Sequence, residues 1–153
     1  MDFRNILVPV NGTPSDAEAL RLACKLAREA KSKILVVYVV EIRRSLPLDV
    51  RLDTEISKGE DTLTRAEQVV EEEEYQAEAA LLQAREVGPA IVEEAVEREA
   101  DVIIMGFGYK SRFGEFSLGD AVPYVLKNAS CPVILYRLPT RKASQKLDTE
   151  QNS

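Results

Sequence analysis

The chain has 153 residues, with 20 Lys and Arg against 26 Asp and Glu, a formal net charge of −6 and no histidine. That acidic balance argues against a general electrostatic grip on nucleic acid. The lack of histidine removes the usual general base and every Ser-His or Cys-His nucleophile pair. The longest apolar run, Ile34 to Val40, is far too short to cross a bilayer.

Met1-Asp2-Phe3-Arg4-Asn5 has neither the charge pattern nor the apolar length of a signal peptide, so a cytoplasmic protein of one domain is expected. Ile6 to Val10 is an apolar run of strand length, and Asn11-Gly12-Thr13-Pro14 is turn chemistry. Thr13 suits the N-cap of a helix, with Pro14 at its first position and Asp16 at its third, where a negative charge matches the dipole. That helix should run to about Ala30, with Ala19, Leu22, Ala23, Leu26 and Ala30 on the packed face and the Arg and Glu residues in water. Cys24 falls inside it and reads as a free core thiol, as does Cys131, since no CxxC spacing completes a metal site.

Ile34 to Val40 is a continuous β-branched run, the pattern of a strand covered on both faces. From Glu41 to about Asp61 charges and Pro47 break the pattern, and a long loop is expected. Thr62 to about Gln76 then reads as a helix with Leu63, Ala66, Val69 and Val70 on one face. The acidic run Glu71 to Glu74 is a solvated face rather than a metal or acid-base cluster, and it disfavours continuing the helix past its negative end. Ala77 to Arg85 has helical composition, but the strand-helix alternation around it calls for a strand. Gly88-Pro89 restarts the chain, and Ile91, Val92, Ala95 and Val96 form an amphipathic helix to about Glu99.

Val102 to Met105 is the next strand, stopping at Gly106. A loop with glycines and aromatics follows, then a helix from Asp120, its N-cap, to Asn128, and a last strand from Val133 to Tyr136. Residues 138–153 lack a core-forming pattern and are expected to be a disordered tail after a domain spanning 1–137. Five strands alternating with four helices give an α/β fold with a five-stranded parallel, doubly wound, Rossmann-like sheet and helices on both faces. In such a sheet ligands bind at the carboxyl ends of the strands. Gly106-x-Gly108-x-x-Ser111 is a poor dinucleotide fingerprint, lacking the third glycine and following a late strand.

The opening ILVPVNGTPSDAEAL, the second strand VVYVVE, the ADVIIMG strand, the Gly119-Asp120 pair and the ending NASCPVILYR together resemble the universal stress protein A family over residues 3 to 137. The resemblance implies a cytoplasmic, homodimeric α/β protein of the adenine nucleotide alpha hydrolase-like type. Some members bind ATP through a motif G-x2-G-x9-G-[ST] with another hydroxyl two positions on, and others bind no nucleotide. Carried onto this chain, Gly106 fills the first position and Gly119 the third. Tyr109 stands at the second glycine, Asp120 replaces the hydroxyl, and beyond Ala121 the later hydroxyl is Val122. On the base side Pro9, Val10 and Asn11 match the first-strand positions, with Asn11 where the family has aspartate, and Val39 and Met105 match the apolar walls.

A Tyr in place of glycine blocks the close approach of backbone to phosphate, and a carboxylate there repels it. Lys110 and Arg112 could compensate, though solvated loop cations is the simpler reading. Phe107, Tyr109, Phe113 and Phe116 either fill the volume of a nucleotide or form a surface for another partner, while Gly108 and Gly114 suit turns. The last strand, Val133, Ile134, Leu135 and Tyr136, leaves a bare apolar edge, and the resemblance implies pairing with its twin across a two-fold axis.

Three functions are therefore weighed. The first is a non-enzymatic, dimeric regulatory or interaction module with a degraded ATP site, no expected cofactor and a protein partner of unknown identity. The second is a sensor that still takes an adenine nucleotide weakly (AMP, ADP or ATP), with those carrying fewer phosphates the better fit. A nucleotide hydrolase is the poorest, with no P-loop and no Mg²⁺-ligand pattern.

Overall fold

A computed structural model describes residues 3–107 and 120–137, which form β1 (Asn5–Pro9), α1 (Ser15–Ala30), β2 (Lys33–Glu41), α2 (Asp53–Glu72), β3 (Glu78–Ala84), α3 (Val87–Glu97), β4 (Val102–Phe107), α4 (Ala121–Asn128) and β5 (Val133–Arg137). The expected disordered tail and the loop from Gly108 to Gly119 lie outside the described residues. All five strands are parallel, in the order β3-β2-β1-β4-β5. The alternation and the expected sheet hold, and β5 is an outer strand.

Period-two alternation divides the core between the two faces of the sheet. Ile6, Val8, Val10, Ile34, Val36, Val102 and Ile104 pack with α1 and α2, while Leu7, Leu35, Val37, Ile103 and Met105 pack with α3 and α4. The buried stripe of α1 is Ala19, Leu20, Ala23, Cys24 and Ala27, whereas Leu22 and Leu26 are only half-buried. Cys24 is the core thiol expected; Cys131 is half-buried instead. Val96 is exposed, so the packed face of α3 is carried by Ile91 and Ala95.

The long loop expected to Asp61 is much shorter. α2 begins at Asp53, with Asp53 and Glu55 in its first turn and Gly59 buried. A Cβ on Gly59 would come 2.7 Å from Tyr38 Cδ1 and 2.8 Å from Leu81 Cδ1, so the helix there lies close on β2 and β3 because that residue has no side chain. The remaining loop is held from β3: Gln83 Nε2 donates to the carbonyls of Leu48 and Val50 at 2.8 and 2.9 Å, and Arg85 donates to those of Arg43 and Leu46, both at 2.7 Å.

α2 stops at Glu72, within the acidic run. Glu73 is not merely solvated: Arg28 Nη2 reaches its carboxylate at 2.9 Å and Arg21 Nε lies 3.8 Å away, which ties α1 to the end of α2. At the amino ends of the strands the Asp101 carboxylate accepts the N–H groups of Arg4 and Asn5 at 2.8 and 2.9 Å.

Candidate functional site at the carboxyl ends of β1 and β4

The chain runs outward from β1 through β2 to β3, then returns to β4 on the other side of β1, so the topological switch lies between β1 and β4. These strands are paired at Ile6–Val102 and Leu7–Ile103, while β1 stays paired with β2 as far as Pro9–Val37. The first turn of α1 comes down beside the end of β4. A Cβ on Gly106 would stand 2.3 Å from the Ser15 carbonyl oxygen, and Ser15 is fully buried. β4 does not stop at Gly106 as the sequence suggests; it continues to Phe107, which is buried rather than part of the loop.

The turn after β1 is closed by its own polar groups. Asn11 Oδ1 accepts the Thr13 N–H at 3.1 Å and the Thr13 hydroxyl at 2.7 Å. The Asp16 carboxylate reaches back to accept the N–H groups of Asn11 at 3.2 Å and Gly12 at 2.7 Å. Thr13 is therefore not the helix cap. Pro14 holds that position without a side-chain cap, and the Thr13 hydroxyl pairs with Asn11 and with Ser15 Oγ at 2.7 Å. Burial pushes the Asp16 carboxyl above its ordinary value; the N–H groups of Gly12, Asn11 and Thr13 and the charge of Arg65 oppose that rise.

The residues read as a base site are brought to one end of the sheet but not to one wall. Val39 and Met105 pack on the α3 and α4 face, Val10 packs on the α1 and α2 face, Pro9 is half-buried and Asn11 is exposed. On the phosphate side, Asp120 is exposed and stands at the N-cap of α4 as expected, though its side chain makes no capping bond, and Ala121 and the buried Val122 follow in the helix. Tyr109, Gly119, Lys110 and Arg112 lie outside the described residues, as do Phe113 and Phe116. Sequence reasoning missed Ser15, Gln83 and Arg85. A glycine at a strand end facing a helix start was the only available signal for the first of these. Among the described residues, no group of three carboxylates or thiols could hold a metal ion, and no helix is long and apolar enough to cross a membrane.

A doubly wound parallel sheet with its opening between β1 and β4 defines the Rossmann-like α/β proteins. Residues 2–137 match the profile of the universal stress protein family. The chain belongs to that family. A curated relative, Universal stress protein MJ0531 of Methanocaldococcus jannaschii, is 26% identical over 146 residues, covering 92% of this chain and 85% of the relative. Among solved structures, the universal stress protein from Archaeoglobus fulgidus superposes with a TM-score of 0.72 at 26% identity, covering 86% of this chain and 97% of its own. A structure of the universal stress protein from the same organism in complex with dAMP gives 0.68 at 26% identity, covering 88% and 98%.

Proposed function

We propose that this universal stress protein is a non-enzymatic, dimeric regulatory or interaction module that does not carry ATP. The observation that supports this most directly is the self-satisfied turn after β1. The N–H groups of Asn11 and Gly12 are held by Asp16, and Asn11 Oδ1 is held by Thr13. A ligand would have to displace these bonds before using the same groups. The exposed carboxylate of Asp120 and the Tyr at position 109 work in the same direction on the phosphate side. The dimer rests on β5, an outer strand whose residues Val133 to Tyr136 are only half-buried in a single chain.

A second reading, an adenine mononucleotide sensor, is favoured by the structural relative bound to dAMP and by Val39 and Met105 lying on the same face of the sheet. One phosphate needs fewer donors than three, and Lys110 or Arg112 would supply them.

Calorimetry on nucleotide-stripped protein with AMP, ADP and ATP separates the two. No heat with any of them is expected for the module, while AMP binding with feeble ATP selects the sensor. Tight ATP binding overturns both readings, and ATP turnover overturns the non-enzymatic one.

A further inference from the structure

A cavity of about 320 Å³ lies between α1 and α2, near the turn after β1, and none of the residues matched to the base or phosphate positions lines it. This is within the size range of small-molecule sites. Val69, half-buried, and Ala66, nearly fully buried, supply apolar surface, and Leu20 beside them is fully buried. Two opposite charges, Asp16 on α1 and Arg65 on α2, line the same cavity.

Arg65 is close enough for its charge to act on the Asp16 carboxyl, yet among the described residues it makes no ion pair, and its bond to Thr62 Oγ1 is long at 3.5 Å. Asp16 accepts two backbone N–H groups, and a carboxylate has about four acceptor sites, so it can take another donor. A carboxylate and a guanidinium held apart beside apolar surface complement a small molecule with an ammonium, a carboxylate and an aliphatic body. A simple anion would meet Asp16, and a simple cation would meet Arg65.

We infer that the α1–α2 cavity binds a zwitterionic aliphatic α-amino acid, with its ammonium on Asp16, its carboxylate on Arg65 and its side chain against Val69 and Ala66. The cavity and the turn after β1 share Asp16, whose carboxylate also holds the N–H groups of Asn11 and Gly12.

The probe is L-leucine, followed by NMR on the isotopically labelled full chain. Leucine is expected to shift the resonances of Leu20, Ala66 and Val69 while leaving those of Met105 and Gly106 in place. Leucinamide and 4-methylpentanoate, each lacking one charge, should bind at least about tenfold more weakly, the effect of losing one charge-assisted contact. Arg65 is exposed, so Arg65→Gln should leave the fold intact and abolish the shifts. The inference is overturned if leucine moves no α1–α2 resonance up to its solubility limit, if 4-methylpentanoate binds as well as leucine, or if Arg65→Gln binds leucine like the parent.

Discussion

Gly106 and Ser15 meet so closely that a side chain on the first would stand inside the backbone of the second. The Cβ position is 2.3 Å from the Ser15 carbonyl oxygen and 2.7 Å from its carbonyl carbon. A backbone carbonyl in a helical first turn cannot swing aside as a side-chain tip can. Gly106→Ala should therefore cost about 1–3 kcal/mol, the usual penalty of overpacking. A urea unfolding midpoint equal to that of the parent would show that α1 does not rest on β4 as described.

Asp16 gives a pH signature whose sign follows from its burial. Its folded-state value is raised, so between the ordinary value of 3.8 and that higher value the folded chain binds more protons than the unfolded one. Its contribution is most favourable below 3.8 and declines as pH rises through the raised value. Asp16→Asn keeps an acceptor for the Gly12 N–H without the charge. The stability of Asp16→Asn relative to the parent should rise with pH just above 3.8 and then level off. Paired urea titrations across that range measure the difference directly, and a difference that falls with pH would contradict the burial argument. Asp16→Ala, which leaves the two N–H groups to water, should cost about 1 kcal/mol at neutral pH.

Gly59 opposes helix propensity to tertiary fit. Replacing a helical glycine by alanine favours the helix by about 1 kcal/mol. Here the new methyl would meet the Tyr38 ring at 2.7 and 2.9 Å as well as Leu81. Overpacking of about 1–3 kcal/mol should win, giving a net loss of up to about 2 kcal/mol. In a double-mutant cycle with Tyr38→Ala, the two changes should couple by about 0.5 kcal/mol or more. Strict additivity would mean that α2 does not lean on Tyr38.

The order and type of the nine described elements were legible because a two-sided parallel sheet writes long β-branched runs such as Ile34 to Val40 into the chain, and for β3, whose composition favours helix, the strand-helix alternation decided the reading. Less legible were the places where a contact distant in sequence decides the outcome. The first turns of α2 are polar, and their position depends on Gly59 meeting Tyr38 and Leu81, which no local pattern records. α1, α2 and α3 are each followed by a left-handed residue, Lys31, Glu74 and Glu99, rather than by the glycine or asparagine that usually signals a stop. At the candidate site, Gly106 could be matched to a motif, but its contact with Ser15 could not be foreseen. Nor could Asp16 be seen turning back to the loop instead of simply facing the helix dipole.

An outer strand with half-buried apolar residues should be covered by a second copy. Ile134→Lys and, separately, Tyr136→Glu place a charge on that edge. Both should shift sedimentation from dimer to monomer while the helical circular dichroism is retained. Ile134 also touches the α1 side of the core, so Tyr136→Glu is the variant that isolates the interface. A parent that sediments as a monomer, or a Tyr136→Glu variant that stays dimeric, would remove the β5 contact.

The phosphate side can be tested by restoring what the family motif would place there. A carboxylate about 4 Å from a phosphate charge costs roughly 4 kcal/mol at an effective dielectric near 20, or about three decades of affinity. A Tyr where the family motif has glycine is expected to block the close approach of backbone to phosphate. Asp120 makes no capping bond that its replacement would break. The double change Tyr109→Gly with Asp120→Ser should raise ATP affinity by orders of magnitude. Asp120→Ser alone should recover the electrostatic part, and that gain should shrink at high salt because the group is exposed. If the double variant binds ATP no better than the parent, the closed turn of Asn11, Gly12 and Asp16 excludes the nucleotide by itself.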